Sequence, residues 1–373
     1  MPPDTEPPAE AALALQLPAS RADERASGGS VPGETMRAPI VRSLACSALG
    51  ALALVAIPGL GRAGTATPDP VTHGRRSDVA PNPAVGTAST RGELTLRSFL
   101  REDEFKWTIA GGGVNVISEL DWDNVRSAGV RATGRLDLGV VQPPVRWLPQ
   151  VDLALWGDLE YGQMFRGTLR DSDYLGANKT LEFSQSRSHT ERGRVLDAAI
   201  GIRLDLPRIG RLRVSPILGL TYHQQQFAIR NGASLIPATG PIVGLDSEYA
   251  TQWYGLVFGG EVVLPLGEDF ELRSRCVVHR SEYRAEADFN LRTDLGDPSF
   301  EHATIGEGVT LFTGVSRPIG ARWLLELGIE HRWWETDSGR AKFNLSAGGA
   351  SRQRLNEVEL RSFAVILGAS YRF

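Results

Sequence analysis

The sequence predicts an all-β fold: a ten-stranded antiparallel transmembrane β-barrel with short periplasmic turns and long outer loops. Three observations predict it. Apolar and polar residues alternate strictly within long segments, and the breaks between these segments are alternately short and long. The predicted strands have about 15 residues or more, whereas strands of soluble proteins have about 5 or 6. Closing the sheet satisfies the backbone hydrogen bonds of every strand, as a lipid environment requires. Together these features are typical of outer-membrane barrels.

Composition excludes other classes of protein. The chain has 373 residues, 42% of them hydrophobic, and a net charge of −4. A disordered chain would have fewer hydrophobic residues, and a nucleic-acid-binding protein would have a basic surplus. The sequence therefore predicts no nucleic-acid partner. The length alone is compatible with two or three soluble domains or with one barrel.

Four segments are predicted along the chain. Residues 1–35 are expected to be a disordered or mis-assigned extension, because they lack periodic apolar residues. Residues 36–66 begin with methionine and combine arginines, an apolar stretch and small residues, the pattern of a secretory signal peptide. A membrane-spanning helix is the weaker alternative, because proline and glycine interrupt the run. Residues 67–91 are predicted to be a disordered spacer, and residues 92–373 the outer-membrane barrel.

The alternation is clearest in "VRATGRLDLGV", which begins at Val130. Its apolar residues share one parity, whereas Arg131, Arg135 and Asp137 share the other. Successive side chains of a strand point to opposite faces, so one face here is apolar and the other charged. The pattern recurs along the chain. The ten predicted strands cover residues 92–111, 123–140, 149–166, 193–206, 211–229, 249–265, 269–289, 302–317, 321–335 and 355–373.

Short and long breaks alternate between these strands. The short breaks include "LPRIGR", "PLGED" and "RPIGAR", whereas the long, polar breaks cover residues 167–192, 231–248, 290–301 and 335–354. This asymmetry is expected of a barrel in the outer membrane of a Gram-negative-type cell, with the loops facing outside. The last strand ends at Phe373, which resembles the signal read by the barrel assembly machinery. That machinery is therefore a predicted partner.

The charged face of the predicted strands indicates which side chains fill the barrel. Ten strands enclose a lumen only slightly wider than one that side chains fill. Charges of both signs face it, so we expect a salt-bridge network rather than a wide pore. The residues expected in this network are Arg131, Arg135, Asp158, Glu160, Arg203, Arg273, Arg275 and Glu330.

Tryptophans near the ends of the predicted strands indicate the membrane boundaries. Indole rings favour the interface between lipid and water, so barrels have aromatic girdles at both boundaries. The residues expected in these girdles are Trp122, Trp147, Trp253, Trp323 and Trp333.

The stretch "TLRDSDYLG" contains Asp171 and Asp173 in the second predicted outer loop. Two carboxyl groups on the same side of an extended segment repel, so the pKa of one should rise, and such a pair can hold a water molecule. A solvated polar loop is the alternative interpretation, because Asp-x-Asp also occurs by chance. Calcium binding would need acidic and glycine spacing that does not follow. The sequence predicts no metal site and no cofactor.

Two histidines are candidates for a general base beside this pair. His189 lies in the same predicted loop, and His302 begins the eighth predicted strand. A bystander role is the alternative for each of them.

Three segments, "ISELDWDNVRSAGVRATGRLDL", "GQMFRGTLRDSDYLG" and "GEDFELRSRC", resemble omptins, the ten-stranded outer-membrane endopeptidases. The likeness covers residues 92–373 and includes the order of loop lengths. Its most specific parts are "SELDW" and "RDSDYL". The resemblance implies cleavage near basic residues by a water that Asp171 and Asp173 hold together with an acidic residue and a histidine of the fourth outer loop.

The second half of that site departs from the omptin pattern. Asp288 matches the acidic residue, but Phe289 and Asn290 stand where omptins have the histidine. Loss of a general base typically costs about 100- to 10,000-fold in rate. If the fourth loop is a hairpin that closes near residue 295, His302 would lie across from Asp288, since the residue numbers of paired residues in antiparallel strands have a constant sum. We hypothesise that His302 or His189 replaces the missing histidine.

The predicted function is that of an omptin-like integral outer-membrane barrel, a surface endopeptidase of aspartic type with an incomplete catalytic site. The alternative is a non-catalytic barrel, either a narrow porin or a surface-interaction protein. Predicted partners are outer-membrane lipid, lipopolysaccharide, and a peptide or protein substrate if the site is active. The omptin lipopolysaccharide motif is altered, because "YHQQQF" keeps Tyr222 but has Gln224 and Gln226 where acidic and basic residues are expected.

Overall fold

Residues 91–141 and 150–373 are described by the computed structural model, and they form thirteen β-strands. The extension, signal peptide and spacer predicted before residue 91 lie outside the described residues, and so does Trp147. Within the described ranges no helix is long and apolar enough to cross a membrane.

The strands have the following bounds in chain order. They are β1 (Gly92–Gly111), β2 (Val114–Val141), β3 (Val151–Gly176), β4 (Thr180–His189), β5 (Arg194–Asp205), β6 (Arg213–Ile236), β7 (Gly240–Pro241), β8 (Asp246–Leu266), β9 (Phe270–Asp288), β10 (Leu295–Ile319), β11 (Trp323–Thr336), β12 (Gly339–Leu345) and β13 (Ala350–Arg372).

Ten of these strands close into an antiparallel ring, which confirms the predicted fold class. The ring order is β1, β2, β3, β5, β6, β8, β9, β10, β11 and β13, and β13 pairs back onto β1. Gly92 and Phe373 exchange two backbone hydrogen bonds of 3.0 Å where the ring closes. We call the end of the barrel that contains these two residues the terminal end, and the opposite end the loop end.

The outward face of the barrel changes from apolar to charged along each strand, as β1 illustrates. Leu96 and Leu100 point outward and are 61% and 62% exposed, whereas Glu102 and Glu104 continue the same outward row toward the loop end. An apolar outer belt is the surface that a barrel presents to lipid. We call the part of the barrel nearer the terminal end, where the outer face is apolar, the belt half. We call the part nearer the loop end, where the outer face is charged, the projecting half.

The interior of the belt half is the ion-pair network that the sequence predicts. Arg131 donates two hydrogen bonds of 2.8 Å to Glu330, and Arg101 donates one of 2.8 Å to Glu160. These side chains are buried. All eight residues expected in the network form ion pairs with inward-facing partners.

The interior of the projecting half is a hydrophobic core instead. Phe105 and Trp107 continue the inward row of β1 beyond Arg101, and both are buried among apolar side chains from most of the other strands. Trp122 and Trp253 belong to this core and are almost fully buried. Their predicted place in an interfacial girdle is therefore wrong, because their parity points inward at a level beyond the belt.

The long breaks predicted at the loop end are largely strand rather than loop. β3 continues to Gly176 and turns into β4, and β12 forms a hairpin with the first part of β13. The predicted second strand likewise begins too late, since β2 starts at Val114. Polar residues in these segments misled the prediction, because above the belt a strand needs no apolar outward row.

Candidate carboxylate site

Asp171 and Asp173 lie on β3 in the projecting half, in a strand rather than in the predicted loop. Asp173 is paired with Ser118 of β2 on one side and with Ser184 of β4 on the other. Asp171 is one pleat closer to the belt, in the same inward row as the core residue Leu169. The strand therefore holds both carboxyl groups on the inner face, as their spacing predicts.

Burial raises the pKa of both carboxyl groups. Asp173 is 4% exposed, and burial raises its pKa to about 6. Hydrogen bonds from the Ser118 and Ser184 hydroxyls and the charge of Arg292 act in the opposite direction and lower this pKa. The pKa of Asp171 lies well above its usual range because of burial and the neighbouring Asp173 carboxylate. One oxygen of each carboxyl group, Oδ1, is buried without a hydrogen-bond partner among the described residues.

Arg292 is the cation of this site, and the sequence analysis missed it. It lies in the turn between β9 and β10, almost opposite β3 in the ring, and its charge lowers the pKa of both aspartates. Hydrogen bonds of 2.7 and 2.6 Å to both carboxylate oxygens of Asp294 orient its guanidinium group. No local motif marks Arg292, because only closure of the barrel brings it to β3.

The residues of the fourth predicted loop do not complete an omptin-like site. Asp288 is exposed on the outer face of β9 and is paired with Glu248 of β8. Phe289 packs inward on the ring of Phe300, with centroids 5.1 Å apart. Asn290 accepts hydrogen bonds from the Asp246 amide and the Ser247 hydroxyl at 3.0 and 2.9 Å, which fixes the start of β8.

His302 is a core residue of the projecting half. It pairs with Ala285 and not with Asp288, because the β9–β10 register is offset from the one predicted. Its Nδ1 atom lies 3.0 Å from the Tyr249 hydroxyl, and its ring packs edge-on against Trp107. Burial alone lowers the pKa of His302 to about 3, with no charged group among the causes. This imidazole is therefore neutral and stands apart from the carboxylates.

His189 lies at the end of β4 on the outer face. It is exposed, whereas Ser186 and Ser188 in the alternate row are buried. The carboxylate pair lies on the inner face, with Asp171 opposite Ser186. The structure thus brings Asp171 and Asp173 together, and it does not bring Asp288, His302 or His189 to them.

The pair has limited chemistry as it stands. Two buried carboxyl groups that share a proton can act as acid and base toward one water molecule. Here the facing group is the guanidinium of Arg292, which stays protonated in proteins and cannot accept a proton. Within the described residues, no group of three or more His, Cys, Asp or Glu side chains is placed to hold a metal ion.

A closed antiparallel barrel with an apolar outer belt and a charged interior is an outer-membrane β-barrel. A family model described as Pom, Protochlamydia outer membrane protein, matches residues 96–373. The chain therefore belongs to this family, and the outer membrane is its location. No curated protein matches the chain.

Solved outer-membrane barrels align with this chain, and one of them shares its fold. The outer membrane protease OmpT from Escherichia coli aligns with a TM-score of 0.57 and 14% identity, over 77% of this chain and 98% of OmpT. The NalP autotransporter translocator domain from Neisseria meningitidis aligns with a TM-score of 0.34 and 9% identity, over 75% of this chain and 88% of that chain. The second score is too low to support an argument, and the first supports the fold alone.

Proposed function

We propose that this protein is a closed, non-catalytic outer-membrane barrel that presents its projecting half at the cell surface as an interaction module. One observation carries the proposal: aromatic side chains from opposite walls touch inside the projecting half. Phe105 of β1 and Tyr249 of β8, five strands apart in the ring, have centroids 5.9 Å apart. Trp107 of β1 and Tyr249 have centroids 6.1 Å apart.

Those contacts leave no open channel along the axis of the projecting half. Ring centroids 4.5 to 7 Å apart are in van der Waals contact, and close-packed apolar interiors exclude water and ions. The ion-pair network lies below the aromatic core and forms a second layer across the interior of the barrel. This supports a surface-interaction protein over the narrow porin that the sequence also allowed.

On this proposal the aspartates have a structural role. The charge of Arg292, in a turn on the other side of the barrel, acts on the carboxylate pair, so attraction between them draws the β9–β10 turn toward the β3–β4 hairpin. A cation beside two buried carboxyl groups offsets part of their desolvation. The attraction between the aspartate pair and Arg292 then stabilises the loop end of the projecting half.

Labelling of intact cells tests the surface presentation. An epitope tag inserted between Gly348 and Gly349, in the exposed turn before β13, should bind antibody on unbroken cells. A matched tag at Gly210, in the short turn between β5 and β6 at the terminal end, should bind only after the outer membrane is opened. The reverse pattern would overturn the proposed orientation.

A second candidate function is an omptin-like endopeptidase, which the buried carboxylate pair favours. In the described ranges Asp171 and Asp173 each have one carboxylate oxygen without a hydrogen-bond partner, and such a pair can hold a water between them. In this candidate the pair itself would activate the water, with His302 or His189 recruited by rearrangement and Asp288 orienting it. Acidic residues of the loop end would receive a basic substrate.

Peptide cleavage decides between the two functions. The refolded barrel would be incubated with a library of dibasic peptides, with and without lipopolysaccharide, beside its Asp171→Ala variant. Cleavage that disappears in the variant would establish the endopeptidase. Absence of cleavage across the library, in a barrel shown by circular dichroism to be folded, is the result that the closed, non-catalytic barrel predicts.

A further inference from the structure

A cavity of about 610 Å³ occupies the interior of the belt half next to the terminal end. The ion-pair layer around Arg131 forms its inner wall. At its mouth lie Arg91, Arg208 and the last residue, Phe373. We call this cavity the terminal chamber. It lies inside the barrel wall, so a ligand would enter it from solution and not from the bilayer.

The lining of the terminal chamber has a surplus of positive charge. Among the described residues, ten arginines line it, against five acidic side chains. Carboxylates that neutralise several of these arginines, such as Glu326 and Glu330, lie behind them and do not line the cavity. A concave site lined by one sign of charge within low-dielectric walls concentrates ions of the opposite sign.

Two arginines of β9 lie beyond hydrogen-bond distance from the carboxylates around them. Arg273 lies 3.6 to 4.0 Å from carboxylate oxygens of Glu93, Glu261 and Glu326, which is beyond hydrogen-bond distance. Its Nε atom is buried without a partner among the described residues. Arg275 approaches Glu330 no closer than 3.7 Å. A buried donor without an acceptor is costly, so the Arg273 guanidinium would gain from an anion. Arg275 lies two residues further along the same face of β9 and also lines the cavity.

We propose that the terminal chamber binds a small multivalent anion that bears phosphate groups. Arginines line the cavity on several sides, including Arg97 on β1, Arg273 on β9 and Arg372 on β13. The tetrahedral oxygens of a phosphate accept hydrogen bonds from diverging directions, and arginine binds them in a bidentate manner. A planar carboxylate would engage fewer of these forks at once. The volume and the charge surplus fit a short polyphosphate.

Titration calorimetry with inorganic tripolyphosphate tests the site. The refolded full barrel in neutral detergent should bind one tripolyphosphate, and added salt should weaken the binding because the attraction is electrostatic. The double variant Arg273→Gln with Arg275→Gln should lose about tenfold or more in affinity. Arg280→Gln with Arg284→Gln is the matched control on the same strand, since both residues face outward in the projecting half, and its affinity should be unchanged.

A second variant protects the test against misfolding. Arg91 and Arg208 are exposed at the mouth of the terminal chamber, so replacing both by glutamine should leave the fold intact and weaken tripolyphosphate binding severalfold. The absence of saturable heat in the wild-type barrel would overturn the proposal. Equal affinities in the wild type, the mouth variant and the control would do so as well, because binding would then lie outside the chamber.

Discussion

The Nδ1 atom of His302 lies 3.0 Å from the hydroxyl oxygen of Tyr249, so this histidine is fixed in an aromatic core and not beside the aspartate pair. The Tyr249 hydroxyl in turn lies 2.8 Å from that of Tyr283. A hydrogen-bonded row of buried polar groups specifies one arrangement of the surrounding core. The position that the hypothesis assigned to a general base is therefore a packing position.

The pH dependence of stability is expected to reveal the carboxylate pair. Because the folded-state pKa of Asp173 is raised to about 6, the folded protein holds the proton more tightly than the unfolded chain, whose aspartate pKa is about 3.9. The pair therefore favours the fold below about pH 4, and that contribution is lost as the pH rises through about 6. Asp171→Asn should raise the free energy of unfolding at pH 8 by about 1 to 2 kcal/mol and change it little at pH 4.

Urea unfolding at a series of pH values checks this prediction. Asp288→Asn is the matched control, because Asp288 is exposed on the outer face, and it should show no such trend. Loss of stability in Asp171→Asn at pH 8 would mean that attraction to Arg292 outweighs the burial and mutual repulsion that raise the pKa of the pair, and it would contradict this prediction.

Replacing Arg292 should have the opposite pH dependence. Arg292→Gln removes the cation that lowers the pKa of both aspartates, so the ionised pair loses its compensation. We expect a loss of about 1 kcal/mol at pH 8 and a smaller one at pH 4, where the aspartates are protonated. Arg284→Gln, on the outer face of β9, is the control. An equal loss at both pH values would show that Arg292 acts only through Asp294.

The aromatic core of the projecting half should contribute strongly to stability. Trp107 is 2% exposed and contacts Tyr249, Phe300 and His302. Trp107→Ala should lower the free energy of unfolding by about 3 to 5 kcal/mol, the usual cost of removing a buried aromatic ring. Trp323→Ala removes an indole that is half exposed on the outer face, and its loss in the same urea titration should be clearly smaller. Equal losses would contradict a packed interior beyond the belt.

The buried ion pairs of the belt half make a separate prediction. Glu330 accepts two hydrogen bonds from Arg131 and two from Arg332. Glu330→Gln leaves these guanidinium groups undercompensated in a buried site, and such a change typically costs about 3 to 5 kcal/mol. Glu282→Gln, at an outward-facing position in the projecting half, should have no measurable effect on the urea midpoint. A neutral outcome for Glu330→Gln would indicate that water fills the network.

The belt half could be predicted from the sequence and the projecting half could not. Within the belt, lipid and lumen impose opposite polarities on each strand, so Val130 and Arg131 reveal their faces by alternation alone. Beyond the belt the outer face is hydrated, and polar residues such as Asp121 and Arg170 resemble a loop. Several strands, among them β2, β3 and β6, were therefore predicted too short at their loop ends.

Of the candidate site, the sequence predicts only the residues that are close together along the chain. The spacing of Asp171 and Asp173 on an extended chain is enough to place both carboxyl groups on one face. The approach of Arg292 depends on ring closure and on the conformation of the turn after β9, neither of which has a local signature. The index-sum argument for His302 failed because the length of that turn sets the register, and the observed turn is offset from the assumed one.

Ion conductance in planar bilayers tests the central claim, that the barrel is closed, most directly. The refolded wild-type protein should insert without steady conductance steps, because aromatic rings from opposite walls meet inside the projecting half. A variant with Phe105→Ala, Trp107→Ala and Trp122→Ala should conduct if it folds, which would show that insertion occurred. Steady, voltage-independent conductance of the wild type would contradict the account and establish a pore.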